Sequence, residues 1–160
     1  MSNIKEEKEE LIEMFGVHFE THHRFSPLSA RILSVLIVEN CKPGITFDDL
    51  VSKLGASKSS VSTNLNLLLK MGKLEYHTVS GDRKKYYRPA SFGSRMRTYL
   101  QIVIDEKKMV DRMLAYKDKI AKTDTEYVNL EMLKVYQEHV QDFEGFLNNT
   151  IKKLDKIENK

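Results

Sequence analysis

Small hydrogen-bonding side chains recur at helical spacing in the middle of the chain. The recurring positions are Ser59, Thr63, Asn66 and Lys70, with Ser60 and Ser62 beside them. Val61, Leu65 and Leu68 repeat at the same spacing, and since a helical turn takes three to four residues, the apolar and polar sets lie on opposite faces. Hydroxyl, amide and ammonium groups can hydrogen-bond to base edges and phosphates. We therefore predict that the polar face enters the major groove of duplex DNA.

The residues before this helix predict how it is positioned. Thr46, with Asp49 three residues later, begins a short helix, and Gly55 is a typical helix end. Ser57 caps the next helix only two residues further on. Two helices joined by so short a turn cross at a large angle, which predicts a helix-turn-helix. Ser57 and Lys58 then lie at a helix N-terminus, where free amides favour contact with a phosphate.

A basic β-hairpin is predicted after this helix. Gly72 ends the helix, apolar and polar residues then alternate, and Ser80-Gly81-Asp82 gives a turn before a return strand over 84–88. The tip carries Asp82, Arg83, Lys84 and Lys85. An arginine at such a tip fits a narrow minor groove, where the negative potential is deepest. We expect the Asp82 carboxylate to hold the Arg83 guanidinium in position.

Positive charge is concentrated on this segment. Residues 55–90 carry seven Lys and Arg against two Asp and Glu, although the whole chain of 160 residues has a net charge of only +3. A basic surface on a nearly neutral body is typical of nucleic-acid-binding proteins. The sequence has no apolar run long enough for a membrane span and no signal-peptide core in its first ten residues. A single cysteine, Cys41, fits a reducing compartment, so we expect a cytoplasmic protein.

Long helices are predicted on both sides of the helix-turn-helix. Asn3 with Glu6 begins a helix over 3–23, and Ser26-Pro27 begins another. Beyond Pro89, apolar residues at spacings of three, four and seven predict two helices of about 27 and about 32 residues. The apolar stripe on such long helices must be buried, and a second copy of the chain is the simplest partner.

The predicted fold is mainly α with a small β-hairpin wing, a winged helix-turn-helix with long N- and C-terminal dimerisation helices. We divide the chain into an N-terminal dimerisation helix at 1–25, a DNA-binding winged helix-turn-helix at 26–90 and a two-helix dimerisation region at 91–160. The two DNA-binding regions of a homodimer would bind a pseudo-palindromic operator in successive major grooves, about 34 Å apart.

Three segments read PLSARIL at 27–33, LVSKLGASKSSVSTNL at 50–65 and GDRKKYYR at 81–88. They resemble the MarR-like winged-helix transcriptional regulators, and most closely their GbsR-type branch. One departure is Ala30, where the family usually has glycine. The resemblance implies a cytoplasmic homodimer that represses transcription until a small-molecule effector binds, in a pocket between the dimerisation helices and the DNA-binding region.

Aromatic residues could line such an effector pocket, although at helical spacing they are more often part of the core. The candidates are Phe15, Phe19, Tyr86 and Tyr99. His18 and His22 have a spacing that can bind zinc, but the chain lacks a cysteine pair or a His-Glu-x-x-His pattern, so we expect helix-face or interface histidines and no metal. Cys41 is either a thiol that senses oxidants or a partly buried small apolar residue.

Other function classes are less compatible with the sequence. It contains no catalytic triad, paired-carboxylate or phosphate-loop pattern, so we expect neither an enzyme nor a cofactor. A winged-helix module that docks on another protein would expose Leu, Phe or Tyr on its recognition helix. A non-specific architectural DNA-binding protein would carry basic tails, whereas the first ten residues here hold four Glu and two Lys.

Overall fold

The computed structural model describes residues 3–158. Met1 and Ser2, in the predicted N-terminal region, and Asn159 and Lys160, in the predicted C-terminal region, lie outside the described residues. The chain divides into two compact units, one ending at Ala90 and the other beginning at Ser91. None of the helices within 3–158 is both long and apolar enough to cross a membrane.

Helices and short strands alternate in the first unit. In chain order they are α1 (Ile4–His23), α2 (Pro27–Glu39), β1 (Ile45–Thr46), α3 (Phe47–Leu54), α4 (Lys58–Lys70), β2 (Leu74–Thr78) and β3 (Lys85–Pro89). Each of the four helices begins at a predicted cap, whose side chain accepts a hydrogen bond from a first-turn backbone N–H. Gly55 ends α3 with a positive φ of 60°, as predicted for the turn before α4.

The sheet has one strand more than the predicted hairpin. Its order is β1-β3-β2 with antiparallel pairing, and Ile45 of β1 pairs with Tyr87 of β3. Since β1 has only two residues, it is too short to show an alternating pattern in the sequence. The return strand begins at Lys85, one residue later than predicted, because the Lys84 N–H donates to the Asp82 carboxylate and stays in the turn.

The core of the first unit positions α4. The buried residues of α4 are Val61, Leu65 and Leu68, as predicted. They pack in one cluster with buried residues of α2, including Ile32 and Leu36, and with Leu50 of α3. On α1 the buried face includes Ile12, whereas the neighbouring Leu11 is exposed. Burial of these side chains fixes α4 with its polar face toward solvent.

The second unit is a pair of long helices, α5 (Phe92–Ile120) and α6 (Asp124–Glu158), of 29 and 35 residues. Val103, Val140 and Leu147 are buried between them. The sequence pattern led us to expect this stripe against a second copy of the chain. The structure corrects part of that expectation, because α5 and α6 bury Val103, Val140 and Leu147 against each other.

These elements form a winged helix-turn-helix with long helices before and after it, mainly α with one small antiparallel sheet. The predicted fold class is therefore confirmed. α3 and α4 are the helix-turn-helix, and β2 and β3 are the wing.

Candidate nucleic-acid interface

The polar face of α4 is exposed along its whole length. Its exposed residues are Ser59, Ser60, Ser62, Thr63, Asn66 and Lys70, with Ser57 and Lys58 exposed at the N-terminus. Among residues 3–158, the side chains of Ser62, Asn66 and Lys70 make no hydrogen bond or ion pair. Their donors and acceptors are therefore available to an external partner.

The N-terminus of α4 is held by a small hydroxyl network. Ser57 Oγ accepts from the Ser60 backbone N–H at 3.2 Å and donates to Ser60 Oγ at 2.8 Å. The Ser57 and Ser59 hydroxyls lie 3.2 Å apart. Because the Ser57 side chain is engaged as a cap, the groups best placed for a phosphate are the free backbone N–H groups of the first turn.

Thr63 is a weaker hydrogen-bond donor to DNA than its sequence position indicates. Its hydroxyl donates to the Ser59 carbonyl at 3.0 Å within the helix. Because the hydroxyl proton is engaged in this bond, Thr63 can offer a base edge only its methyl group and the lone pairs of its hydroxyl oxygen. Asn66, one turn further along, keeps both its amide donors and its carbonyl acceptor free among the described residues.

Asn64 joins α4 to the start of α2. Its Oδ1 accepts hydrogen bonds from the hydroxyls of Ser26, at 2.8 Å, and Ser29, at 2.6 Å. Its Nδ2 donates to the Ser60 carbonyl at 2.8 Å. Ser29 is only 1% exposed, so this bond replaces the water that its hydroxyl has lost. The amide of Asn64 thus positions the exposed face of α4 relative to α2.

Asn64→Ala should destabilise the first unit by about 1–3 kcal/mol, because it leaves the buried Ser29 hydroxyl without this partner. Urea unfolding followed by circular dichroism measures the change. Asn66→Ala is the matched control, since Asn66 is exposed and its side chain has no partner among residues 3–158. Equal unfolding midpoints for the two variants would show that Asn64 does not join the helices.

The wing turn is organised by Asp82, but not as predicted. Asp82 Oδ2 accepts from the Tyr86 hydroxyl at 2.6 Å, and Oδ1 accepts from the Lys84 N–H at 2.9 Å. These bonds, that from Tyr86 foremost, hold the pKa of Asp82 below its usual range, so the carboxylate is charged at neutral pH. The expectation that Asp82 forms an ion pair with Arg83 is wrong, because its carboxylate accepts a hydrogen bond from the Tyr86 hydroxyl instead.

The Lys and Arg side chains predicted to bind DNA differ in whether they already contact another residue of the chain. Lys58 Nζ lies 3.4 Å from Asp48, and Lys85 Nζ lies 4.2 Å from the centre of the Tyr76 ring. Lys70, Arg83 and Lys84 form no ion pair within residues 3–158 and are exposed. These last three cations are therefore the strongest candidates for direct contact with DNA.

The exposed side of α4 is not entirely polar. Leu67 is 48% exposed and Met71 is 42% exposed. The prediction described this face by its Ser, Thr, Asn and Lys residues alone and overlooked both positions. The run Leu67-Leu68-Leu69 carries the missed signal, because three consecutive residues of a helix point about 100° apart and cannot all face the core.

The aromatic residues predicted for an effector pocket have different surroundings. Phe15 and Phe19 stack in the core of the first unit with ring centres 6.0 Å apart. Tyr86 lies in the wing with its hydroxyl on Asp82, and Tyr99 is exposed on α5 in the second unit. A groove of about 400 Å³ along α1 is lined by other residues, charged ones prominent among them.

The remaining candidate residues lie away from α4 or carry no site geometry. The rings of His18, His22 and His23 cluster at the end of α1, and burial is the main cause that lowers the pKa of His23. Residues 3–158 contain no group of three or more His, Cys, Asp or Glu arranged to hold a metal ion. Cys41 is exposed, so the expectation of a partly buried thiol is wrong.

Sequence reasoning missed Asn64 and Tyr86 as positioning residues. Asn64 lies on the flank of α4, between the buried and the exposed faces, and its role comes only from contact with Ser26 and Ser29 at the start of α2. Tyr86 was considered for an effector pocket because it is aromatic, whereas its hydroxyl is what the wing uses.

Comparison with known proteins supports the fold. No protein-family model matches the chain. It is 30% identical over 105 residues, 64% of its length, to the HTH-type transcriptional regulator MmpR5 of Mycobacterium tuberculosis (strain ATCC 25618 / H37Rv), and it spans 62% of that protein. A crystal structure of a transcriptional regulator matches with a TM-score of 0.68 and 22% identity, over 94% of this chain and 99% of that chain. The latter likeness shows that the two share a fold.

Proposed function

We propose that the chain is a sequence-specific, dimeric DNA-binding transcriptional regulator of the MarR-like class, and of its GbsR-type branch. The observation that carries the proposal is the exposed face of α4, where the polar groups of Ser62, Asn66 and Lys70 have no partner among residues 3–158. Similarity to a curated transcriptional regulator and the three segments at 27–33, 50–65 and 81–88 support the same class. A protein with this role works where DNA is accessible, in the cytoplasm.

Each free group on α4 and the wing has a matching feature on duplex DNA. The Asn66 amide fits the N6 and N7 atoms of adenine in the major groove, and Lys70 fits a phosphate or a guanine edge. The first-turn N–H groups of α4 fit a phosphate, which fixes the register. Arg83, at the wing tip and without an ion pair among residues 3–158, fits the adjacent minor groove.

Asn66→Ala and Arg83→Ala should weaken DNA binding in different ways. Asn66→Ala should cost about 1–3 kcal/mol on the best sequence selected from a random pool and relax its preference at one base pair per half-site. Arg83→Ala should weaken binding to all sequences and lower the salt slope by about one or less. Fluorescence-anisotropy titrations at several salt concentrations measure both. Equal losses on every sequence for both variants would contradict the assignment of Asn66 to base recognition.

A second apolar stripe on the long helices supports a homodimer. On α5 the exposed apolar residues along one side are Ile102, Met109, Met113, Tyr116 and Ile120. On α6 the corresponding residues are Val128, Met132, Val135 and Phe146. Spacings of three, four, seven and eleven residues place each set along one side of its helix, as in a coiled-coil seam. We call these nine residues the exposed stripe, and propose that a second copy of the chain covers it.

Repression relieved by an effector would follow from this dimer. Two copies of α4 would bind successive major grooves only when they are about 34 Å apart. A ligand that binds better to a dimer with another spacing would shift the population away from the DNA-bound state. The proposed regulator is therefore a repressor that a small molecule releases from a pseudo-palindromic operator.

A protein-docking winged helix is the second candidate, and the exposed Leu67 and Met71 are the observation that favours it. The two candidates differ in what α4 binds. A docking module would show weak DNA binding with no sequence preference, whereas the proposed regulator discriminates between sequences at physiological salt.

A further inference from the structure

Leu67 lies among the side chains that the proposed function assigns to DNA. It is one helical turn after Thr63 and three residues before Lys70, and it borders Asn66. Thr63, Asn66, Leu67, Leu69 and Lys70 together line a shallow depression on the surface of α4. A half-exposed leucine therefore lies inside the polar face rather than at its edge.

The core has no place for Leu67. Val61, Leu65 and Leu68 already form the inward face of α4 and are at most 2% exposed. Leu67 precedes Leu68 and points about 100° away from it. Beside it, the Thr63 hydroxyl donates to the Ser59 carbonyl, so the methyl group is the part of Thr63 that has no bond within the helix. Two apolar groups thus adjoin each other on the exposed face.

We propose that Leu67 and the Thr63 methyl group contact thymine 5-methyl groups in the major groove, so that this half of α4 selects A·T pairs. The inference rests on the proposed DNA-binding function. The thymine methyl is the apolar group that base edges present in the major groove, and adenine, on the opposite strand of the same pair, presents the N6 and N7 atoms that suit Asn66. Leu67 and Asn66 together therefore match the two halves of an A·T pair.

The charge around the patch favours DNA over an apolar protein segment. Lys70 borders the patch, and residues 55–90 carry seven basic against two acidic side chains. A phosphate backbone on both sides of a groove neutralises such charge, whereas an apolar peptide would leave it unpaired. Asn66 and Lys70, which can hydrogen-bond to base edges and phosphates, line the same depression.

Replacing thymine with deoxyuridine tests the proposal without changing base pairing. The best-binding duplex is first selected from a random pool with the wild-type chain, and each thymine is then replaced singly. The wild type should lose about fourfold in affinity at each contacted thymine, the value of one buried methyl group. Leu67→Ala should bind the thymine duplex more weakly and lose the sensitivity at the thymine that Leu67 contacts, while a thymine that meets the Thr63 methyl group keeps it. Leu67→Met, which keeps an apolar side chain of similar volume, should retain the sensitivity.

Each result decides a different question. Sensitivity that disappears in Leu67→Ala and persists in Leu67→Met supports the contact. A selected duplex that binds equally well with deoxyuridine at every thymine overturns it, and leaves the proposed DNA-binding function intact. The same holds if Leu67→Ala keeps the wild-type sensitivity. If the pool yields no sequence that binds better than random DNA, the proposed function itself fails.

Discussion

The double substitution Met132→Glu and Val135→Glu should convert the protein to a monomer and lower its affinity for operator DNA by at least about 100-fold. Both side chains are exposed, at 62% and 66%, and belong to the exposed stripe of α6. Charges there would oppose burial against a second copy. A monomer loses the linkage between two half-site contacts, which is worth about two to four orders of magnitude in affinity. Light scattering and DNA titration measure the two effects.

Gln141→Glu is the matched control for this prediction. Gln141 is exposed on the same helix but lies off the exposed stripe. Its replacement by Glu therefore adds a negative charge outside the proposed dimer contact. The control should remain dimeric and bind DNA as the wild type does. If the double variant stays dimeric and keeps its affinity, the exposed stripe is not the dimer interface.

Gly44→Ala should destabilise the first unit by about 4 kcal/mol. Gly44 has a φ of +128°, which residues with a side chain rarely adopt, and a Cβ there would lie 2.7 Å from the Tyr87 carbonyl oxygen. The expected cost combines the strained backbone, about 1–3 kcal/mol, with the displacement of β3, of similar size. Chemical denaturation monitored by circular dichroism measures the loss.

Gly55→Ala separates the cost of the strained backbone from the cost of displacing β3. Gly55 also has a positive φ, +60°, but nothing lies within 4 Å of a Cβ built there. Its substitution should cost only about 1–2 kcal/mol, the conformational part alone. If Gly44→Ala costs no more than Gly55→Ala, the close approach of the chain to β3 does not constrain the fold.

Local signals in the sequence were sufficient to predict the four helices of the first unit. Caps at Ser26, Thr46 and Ser57 and the stop at Gly55 involve residues a few positions apart, so their hydrogen bonds can be inferred from spacing. The strand β1 could not be inferred in this way. It forms only because Ile45 meets Tyr87, which is 42 residues away in the chain.

In the candidate interface, too, spacing in the sequence predicted some features and not others. The spacing of Ser62, Asn66 and Lys70 was enough to place them on one exposed face. The bond from Ser29 to Asn64 joins two helices that are far apart in the sequence, so it depends on tertiary geometry. The bond from Tyr86 to Asp82 is local, but it depends on the conformation of the wing turn, which spacing alone does not give. Periodicity also could not distinguish a stripe buried between α5 and α6 from one left exposed, because a long helix can carry both.

Binding to selected and random duplexes of equal length at physiological salt shows whether this chain recognises a DNA sequence. We expect the best sequence from a random pool to be bound at least about 1,000-fold more tightly than random DNA. We also expect the affinity for both duplexes to fall with added salt, as phosphate contacts require. Comparable affinity for the two duplexes at every salt concentration would contradict recognition of a DNA sequence.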